Sequence, residues 1–224
     1  MLPLYGLTKF TLQDFPGHTA CIVWLGGCNL RCHYCHNPEM VNQSKGTYAV
    51  DDFLAFLTTR QGKLDGVVLS GGESTLYPDI IELAQTVKEM GFKIKLDTNG
   101  LRIQTVKQML DLKLIDYIAL DYKAPPYKFK QVTGKDKYGL FSETLDVLCE
   151  QSVPFELRTT VHTDLLDEID VQWIVDDLNK RQCKAPYYVQ NYMHTETLGG
   201  LTEQSSSLDR DHLATCGSIT FRNF

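Results

Sequence analysis

The 224-residue sequence lacks the features that mark several classes of protein. Its apolar runs have the length of strands, far below the roughly 20 residues of a membrane span. Lys and Arg form no stripe of the kind that nucleic-acid binding requires, and the net charge is -6. The N-terminus shows no basic region followed by an apolar stretch. We therefore expect no membrane association, no nucleic-acid partner, no signal peptide and a cytoplasmic location.

Internal repeats, low-complexity stretches and clear domain linkers are also missing. We therefore expect one domain over residues 1–224, with its core at about 14–195 and a C-terminal tail at 196–224 whose function the sequence does not reveal.

Cysteine is too sparse for a disulfide-rich secreted scaffold, because the chain has seven, an odd number. Three of them lie within eight residues, which indicates a metal site in a reduced protein. The other four are scattered, and we assign them no role beyond that of buried, inert thiols. They are Cys21, Cys149, Cys183 and Cys216.

Six β-rich apolar runs alternate with helical patterns, which predicts repeated βα units. The predicted strands are 19–24, 66–70, 92–97, 117–121, 155–161 and 187–191. Continuous apolar runs are typical of strands buried on both faces of a parallel sheet. Six units are too few to close an eight-stranded barrel. The predicted fold class is therefore α/β, a partial (β/α)6 barrel of TIM type, with its site at the carboxyl ends of the strands.

The cysteine cluster follows the first of these strands. Cys28, Cys32 and Cys35 form a CxxxCxxC loop that begins after two glycines. Thiolates are the usual ligands of iron–sulfur clusters, and three thiolates on a 4Fe-4S cube would leave one iron open for a substrate. A structural zinc held by the same cysteines with His33 or His36 is the alternative. The residues of the loop alone leave both readings open.

This loop resembles that of the radical SAM superfamily. The resemblance implies that Cys28, Cys32 and Cys35 bind a 4Fe-4S cluster and that the open iron binds S-adenosylmethionine. Reductive cleavage of this cofactor would give methionine and a 5′-deoxyadenosyl radical. Tyr34 lies where the family places an aromatic side chain beside the adenine.

A later motif supports the resemblance. Gly71, Gly72 and Glu73 directly follow the second predicted strand and match the family's GGE motif, which contacts the methionine ammonium. The family often has proline next, whereas this chain has Ser74. Since serine and proline both suit a turn, we expect this departure to matter little.

Polar residues at the next strand ends resemble the glycyl-radical-enzyme activating subgroup. In that subgroup the residues of DTNG and DxK motifs surround the methionine end of the cofactor. The corresponding residues of this chain are Asp97, Asp121 and Lys123. Asp97, Thr98 and Asp121 could also frame a monovalent cation. The resemblance further implies that Arg158 binds the cofactor. A histidine contacts the ribose in the subgroup, and His194 occupies its place.

The N-terminal part narrows the resemblance to the short activating proteins of anaerobic ribonucleoside-triphosphate reductase. The matching segments are Asp14-Phe15-Pro16-Gly17 and the cysteine loop through Glu39. The resemblance implies an oxygen-sensitive activase with a glycyl radical enzyme, anaerobic ribonucleotide reductase, as its partner. Flavodoxin or a ferredoxin would donate the electron. No eight-cysteine ferredoxin-like region follows the loop, so one cluster is implied.

Two other functions remain open from the sequence. One is a radical SAM enzyme that acts on a small molecule, similar to 7-carboxy-7-deazaguanine synthase. The continuation Cys35-His36-Asn37 argues against it, because those enzymes usually have Cys-Asp-Thr at this point. The other is a non-catalytic, zinc-binding interaction module, against which the motifs at the later strand ends argue.

Overall fold

The computed structural model describes residues 2–214 and 219–224. Cys216 lies outside the described residues. Within those two ranges, no helix combines the length and the apolar character needed to cross a membrane. The chain divides into two compact units. The first unit is Met1–Asn29 with Glu39–Ala119, and the second is Leu30–Pro38 with Leu120–Phe224.

The first unit combines a sheet with flanking helices. Its elements are β1 (Leu4–Thr11), β2 (Ala20–Leu25), α1 (Pro38–Val41), α2 (Val50–Thr58), β3 (Gly66–Gly71), α3 (Ile80–Glu89), β4 (Lys93–Thr98), α4 (Ile103–Asp111) and the first part of β5 (Tyr117–Asp121). β1 pairs with β2 in antiparallel fashion, whereas β2, β3 and β4 are parallel neighbours in that order.

The core of this unit comes from the apolar runs of the sequence. β2 and β3 are buried at almost every position, as expected for strands covered on both faces. Phe15 packs into the same cluster as Ile22 and Val68. The helix α4 buries the stripe predicted from its spacing, which includes Ile103 and Val106.

The second unit repeats the alternation of helix and parallel strand. Its elements are the end of β5, α5 (Pro126–Thr133), α6 (Tyr138–Glu150), β6 (Phe155–Val161), α7 (Glu168–Lys180), β7 (Tyr187–Asn191), α8 (Arg210–Ala214) and β8 (Ile219–Arg222). β6, β7 and β8 are parallel neighbours in that order. A capping box formed by Asp167 and Asp170 begins α7 and supplies partners for two backbone N–H groups at this end of the helix.

All six predicted strands are present, with ends within one residue of the prediction. Among the described residues, the structure adds two strands that the sequence pattern did not indicate, β1 and β8, and three helices, α1, α5 and α8. The mixed exposure of β1 hides its strand character, and β8 spans only four residues. In α5, Pro126 takes the first helical position, where it leaves no N–H unpaired, and Gly134 ends the helix at φ 72°.

Parallel pairing determines where the motifs of the first unit lie. Val68 of β3 is in register with Lys95 of β4, and Leu69 with Leu96. The carboxyl ends of the two strands therefore lie side by side. This register brings the GGE motif after β3 next to the residues that end β4.

Candidate functional site

The start of the cysteine loop is fixed by backbone hydrogen bonds within the first unit. The Gly27 N–H donates to the carbonyl of Met40 over 2.8 Å, and the Cys28 N–H donates to that of Val41 over 3.1 Å. The short helix α1 thus holds the chain where it enters the loop. Gly27 has φ 85°, and a Cβ there would lie 2.5 Å from the Tyr77 hydroxyl. Only glycine fits this bend without strain.

The two glycines of the GGE motif are needed because the backbone of β3 approaches the cysteine loop closely. A Cβ on Gly71 would lie 2.2 Å from the Leu25 carbonyl oxygen, and one on Gly72 would lie 2.1 Å from that of Gly27. The Gly72 position would also bring a Cβ within 3.2 Å of the Cys28 Cβ. The motif therefore supports the loop that carries Cys28.

Glu73 is buried, and its carboxylate accepts hydrogen bonds from its own chain. The Thr75 backbone N–H and hydroxyl, and the Thr98 hydroxyl at 2.8 Å, donate to Oε1. The Asn99 N–H donates to Oε2 over 2.7 Å. Burial raises the pKa of Glu73, and these donors partly offset the rise. Glu73 thus ties the turn after β3 to the end of β4.

Asp97 is held by two polar neighbours from the strands of the first unit. The Ser70 hydroxyl donates to its Oδ2 over 3.0 Å, and the Lys95 ammonium lies 2.5 Å from Oδ1. Lys95 is only 2% exposed, which is rare for a lysine unless it is paired. Lys95 is not among the site residues predicted from the sequence. Its signal was a charged residue inside an apolar strand, two positions before Asp97 and so on the same face.

Asn99 is the second residue that the sequence analysis did not single out, although it lies within the DTNG motif. Its side chain is buried, and its Nδ2 donates to Asn29 Oδ1 over 2.7 Å. The same nitrogen lies 3.9 Å from the Cys28 Sγ. The Leu101 N–H donates to Asn99 Oδ1 over 3.1 Å, which sets the orientation of the amide. A fixed N–H donor therefore faces the first cysteine of the loop.

The rest of the cysteine loop belongs to the second unit, where it is held from two directions. The Arg31 and His33 N–H groups donate to carbonyls at the end of α5, over 2.9 and 3.1 Å. Leu198 and Gly199 donate to the carbonyls of Cys35 and His33, over 3.0 and 2.9 Å. Four backbone hydrogen bonds within the second unit therefore hold this segment.

The two loop histidines, which the zinc alternative would use, differ in their surroundings. The His36 Nδ1 lies 2.7 Å from the Thr195 hydroxyl, and its ring stacks on Tyr192 at 5.3 Å between centroids. Burial lowers the pKa of His36, which favours the neutral imidazole. Both histidines reach the surface of the loop. His36 thus already has a partner in the second unit.

Tyr34 and Lys123 lie beside each other in the second unit. Tyr34 is buried, and its hydroxyl points to the Lys123 carbonyl oxygen at 3.5 Å. The Lys123 ammonium lies 5.8 Å from the centre of the Tyr34 ring, within the range of a cation–π contact. Burial raises the pKa of Tyr34, so the phenol is neutral. The aromatic face predicted to bind adenine is thus close to the DxK motif.

The DxK motif forms an ion-pair network with Arg158. The Lys123 Nζ lies 3.0 Å from Asp121 Oδ2, and the Arg158 Nε and Nη2 lie 3.0 and 2.9 Å from Asp121 Oδ1. Burial acts to raise the pKa of Asp121, but the two cations outweigh it and hold the pKa below its usual range. The network presents two cations and one anion in a partly buried place.

His194 lies apart from this network, just after β7. It lines a cavity of about 380 Å³ together with Asn191, Tyr192 and Gln204. Gln204 Nε2 donates to Asn191 Oδ1 over 2.9 Å, so the polar wall of the cavity is itself ordered. His194 therefore lies in a polar cavity, and its contact with the ribose stays a prediction.

Two observations bear on metal binding. The described cysteines are all free thiols, among them Cys28, Cys32 and Cys35. Among the residues that the structure describes, no group of three or more His, Cys, Asp or Glu side chains is arranged to hold a single metal ion. The cluster ligands and the monovalent-cation site at Asp97, Thr98 and Asp121 therefore stay predictions.

The chain is similar to a known protein family and to proteins named as activating enzymes. The model of the radical SAM superfamily matches residues 22–179, more than half of the chain. A protein of Methanocaldococcus jannaschii named as a glycyl-radical enzyme activating enzyme is 32% identical over 176 residues, 75% of this chain and 71% of that protein. The pyruvate formate-lyase-activating enzyme of Clostridium pasteurianum is 31% identical over 171 residues, 73% of this chain and 70% of that protein.

Solved structures support the fold. The crystal structure of Streptococcus suis SuiB bound to S-adenosylmethionine superimposes with a TM-score of 0.67 at 16% identity, over 87% of this chain and 47% of that one. The chain therefore spans about half the length of that structure. At this level of identity the likeness concerns the fold alone, and it confirms the fold class predicted from the sequence.

Proposed function

The chain belongs to the radical SAM superfamily, and from that premise we propose that it activates a glycyl radical enzyme. Enzymes of this family use a 4Fe-4S cluster and S-adenosylmethionine. The observation that carries the proposal is the similarity, over about three quarters of the chain, to two proteins named as activating enzymes.

The donor set of the loop fits the cluster. Cys28, Cys32 and Cys35 supply three reduced thiols, the usual ligands of iron–sulfur clusters. Backbone hydrogen bonds hold both ends of the loop, and the side-chain amide of Asn99 faces the Cys28 sulfur. Such donors stabilise a thiolate, the form that binds iron. When bound, the cluster supplies the electron that cleaves S-adenosylmethionine into methionine and a 5′-deoxyadenosyl radical.

The roles of the other residues follow from their charges and contacts. Lys123 and Arg158 are cations beside Asp121, so together they suit the zwitterionic methionine end of the cofactor. Tyr34 offers a buried aromatic face for the adenine. Glu73 accepts hydrogen bonds from its own chain, and we assign it the task of holding the turn of Gly71 and Gly72. The backbone carbonyls of those glycines are then left for the methionine ammonium.

The proposal also names a specific partner enzyme. We propose that the radical is passed to a backbone glycine of anaerobic ribonucleotide reductase, which loses a hydrogen atom from its Cα. Flavodoxin or a ferredoxin would supply the electron. The resemblance of the Asp14–Gly17 segment and of the cysteine loop through Glu39 to the short activating proteins supports this choice. An exposed, oxygen-sensitive cluster would also suit a cytoplasmic protein of an anaerobic cell.

The test is to detect the glycyl radical itself. The anaerobically reconstituted protein is mixed with anaerobic ribonucleotide reductase, S-adenosylmethionine and a reductant, and the glycyl radical is measured by electron paramagnetic resonance. We expect the radical signal on the partner with the wild type and with Cys149→Ser, and none with Cys35→Ala. Formation of 5′-deoxyadenosine without a radical on this partner would contradict the choice of partner and move attention to another glycyl radical enzyme or to a small molecule.

A further inference from the structure

Two cysteines outside the proposed cofactor site lie against each other in the second unit. Cys149 is the last but one residue of α6, and Cys183 lies three residues after the end of α7. Arg181, two residues before Cys183, pairs with Asp146 of α6, three residues before Cys149, and the two thiols lie close enough to interact. Both side chains are partly exposed rather than sealed in the core. This differs from the expectation that the scattered cysteines are buried and inert.

The backbone holds the two thiols in place. The Cys183 N–H donates to the Leu178 carbonyl over 3.0 Å, and the Gln182 N–H donates to that of Asn179 over 2.9 Å. Gln182 adopts φ 54°, a left-handed conformation that is uncommon for a residue other than glycine. The last turn of α7 thus ends in a tight loop that presents Cys183 to the end of α6.

The surroundings of Cys183 are those of a reactive thiol. Its hydrogen bond from Cys149 lowers the pKa of the Cys183 thiol to about 7; burial opposes this, and the Ala185 N–H and the Arg181 guanidinium add to it. Asp177 and Asp146 bind Arg181 and moderate its charge. Reactive cysteines are found in partly exposed places where neighbouring groups lower the pKa of the thiol.

A small molecule has room to reach the thiol. A cavity of about 220 Å³ opens beside Cys183 and is lined in part by Leu178, Ala185 and Tyr187. The site lies where β6 and β7 begin, at Phe155 and Tyr187, whereas His194, which is predicted to contact the cofactor, follows the end of β7. Chemistry at the thiols is therefore separate from the proposed radical reaction.

We propose that Cys149 and Cys183 form an oxidation site, in which a peroxide converts the two thiols into a disulfide. The Cys183 thiolate attacks the peroxide, which takes two electrons from the sulfur and leaves as water or an alcohol, so that a sulfenic acid forms. The Cys149 thiol then attacks that sulfur, water leaves, and the disulfide closes. A low-pKa, accessible thiol next to a resolving thiol is the arrangement found in redox-sensing proteins.

Mass spectrometry of the full chain tests the site. The anaerobically purified protein is treated with one equivalent of hydrogen peroxide, its remaining thiols are alkylated, and it is digested with trypsin. Peptide 138–158 contains Cys149 as its sole cysteine, and peptide 182–184 contains Cys183. We expect these two peptides linked by a disulfide, which a dithiol reductant separates. Alkylated thiols on both peptides after the peroxide is consumed would overturn the proposal, as would links to other cysteines in equal yield.

Two variants separate the steps. In Cys149→Ser we expect a sulfenic acid on residue 183, captured by dimedone, and in Cys183→Ser we expect Cys149 to remain a thiol. Before oxidation, we expect Cys183 to react with iodoacetamide at pH 7 about four-fold faster than an ordinary thiol, because its larger thiolate fraction outweighs its lower nucleophilicity. Equal rates at Cys149 and Cys183 would contradict the assignment of the attacking thiol. None of these results depends on cofactor cleavage.

Discussion

At the scale of single residues, the contact between Asn99 and Cys28 has a direct chemical consequence. The Asn99 amide is fixed by Asn29 and by the Leu101 N–H, so it cannot turn its donor away from the Cys28 sulfur without losing both bonds. A hydrogen bond to a ligating sulfur stabilises the more negative, reduced cluster, and hydrogen bonds of this kind help to set the reduction potential of iron–sulfur centres. With Cys28 as a ligand of the proposed cluster, we therefore expect the Asn99 amide to tune its reduction potential.

We expect Asn99→Ala to lower the midpoint potential of the cluster by tens of millivolts while the iron content is kept. The potential is measured by redox titration followed by electron paramagnetic resonance. Asn179→Ala on α7, far along the chain from the loop, is the control and should leave the potential unchanged. An unchanged potential in Asn99→Ala with full iron content would show that the amide has no electronic effect on the cluster.

The ion pairs of Arg158 lead to a prediction on cofactor binding. Arg158→Gln removes one of the two cations beside Asp121 and is expected to weaken binding of S-adenosylmethionine by roughly tenfold, about 1.4 kcal/mol, because charge-assisted hydrogen bonds are lost. Calorimetric titration of the reconstituted protein measures the affinity. Arg102→Gln serves as the matched control, because Arg102 is an exposed residue directly before α4. Equal affinities in the two variants would remove Arg158 from the proposed binding site.

At the scale of elements, the carboxyl ends of β3 and β4 are joined by one buried side chain. Glu73 follows β3, and it accepts hydrogen bonds from Thr98, the last residue of β4, and from Asn99. The two donors belong to the DTNG motif, so the GGE and DTNG motifs are one structural unit. This connection explains why a carboxylate is placed where burial acts against its charge.

We expect Glu73→Gln to destabilise the protein by about 1–3 kcal/mol, because its amide nitrogen cannot accept a hydrogen bond and one buried N–H loses its partner. The free energy of unfolding is measured by urea denaturation under anaerobic conditions. Glu89→Gln, at the exposed end of α3, is the control and should change stability by less than about 0.5 kcal/mol. A loss that is equally small in both variants would contradict the linking role of Glu73.

The close approach of β3 to the cysteine loop gives a steric prediction. Gly72→Ala would place a Cβ 2.1 Å from the Gly27 carbonyl oxygen, so the turn must move and we expect a loss of about 1–3 kcal/mol or more. Gly139→Ala meets open space in the first turn of α6 and should stabilise the chain by roughly 0.5–1 kcal/mol. Thermal unfolding of the two variants provides the comparison. A Gly72→Ala protein as stable as the wild type would contradict the close contact between Gly72 and the Gly27 carbonyl.

The strands that were predicted correctly have a local signal in the sequence, and the missed strand β1 lacks one. The strands β2 and β3 are continuous apolar runs, a local signal that does not depend on the rest of the fold. β1 is an antiparallel strand with register shifts after Leu4 and Thr8, so its exposed and buried residues do not alternate regularly. The contacts of Lys95 and Asn99 depend on pairing between distant strands, and no local spacing reveals such contacts.

At the scale of the whole molecule, the sequence motifs and the comparisons support one activity. The three-cysteine loop identified the family from the sequence, and the match over residues 22–179 confirms it. Similarity to proteins named as activating enzymes covers about three quarters of the chain and supports the class of partner, but not its identity. The choice of partner depends on residues at the surface of the chain, and the motifs at the strand ends give no information on that surface.

The central claim is that the three cysteines of the loop allow this chain to cleave S-adenosylmethionine. The most direct test reconstitutes the protein anaerobically with iron and sulfide, adds dithionite and S-adenosylmethionine, and measures 5′-deoxyadenosine by liquid chromatography. We predict that the wild type forms 5′-deoxyadenosine and that Cys28→Ala, Cys32→Ala and Cys35→Ala do not, whereas Cys149→Ser does. Substantial product from any of the three alanine variants, or uptake of zinc by the wild type with no product, would contradict the claim.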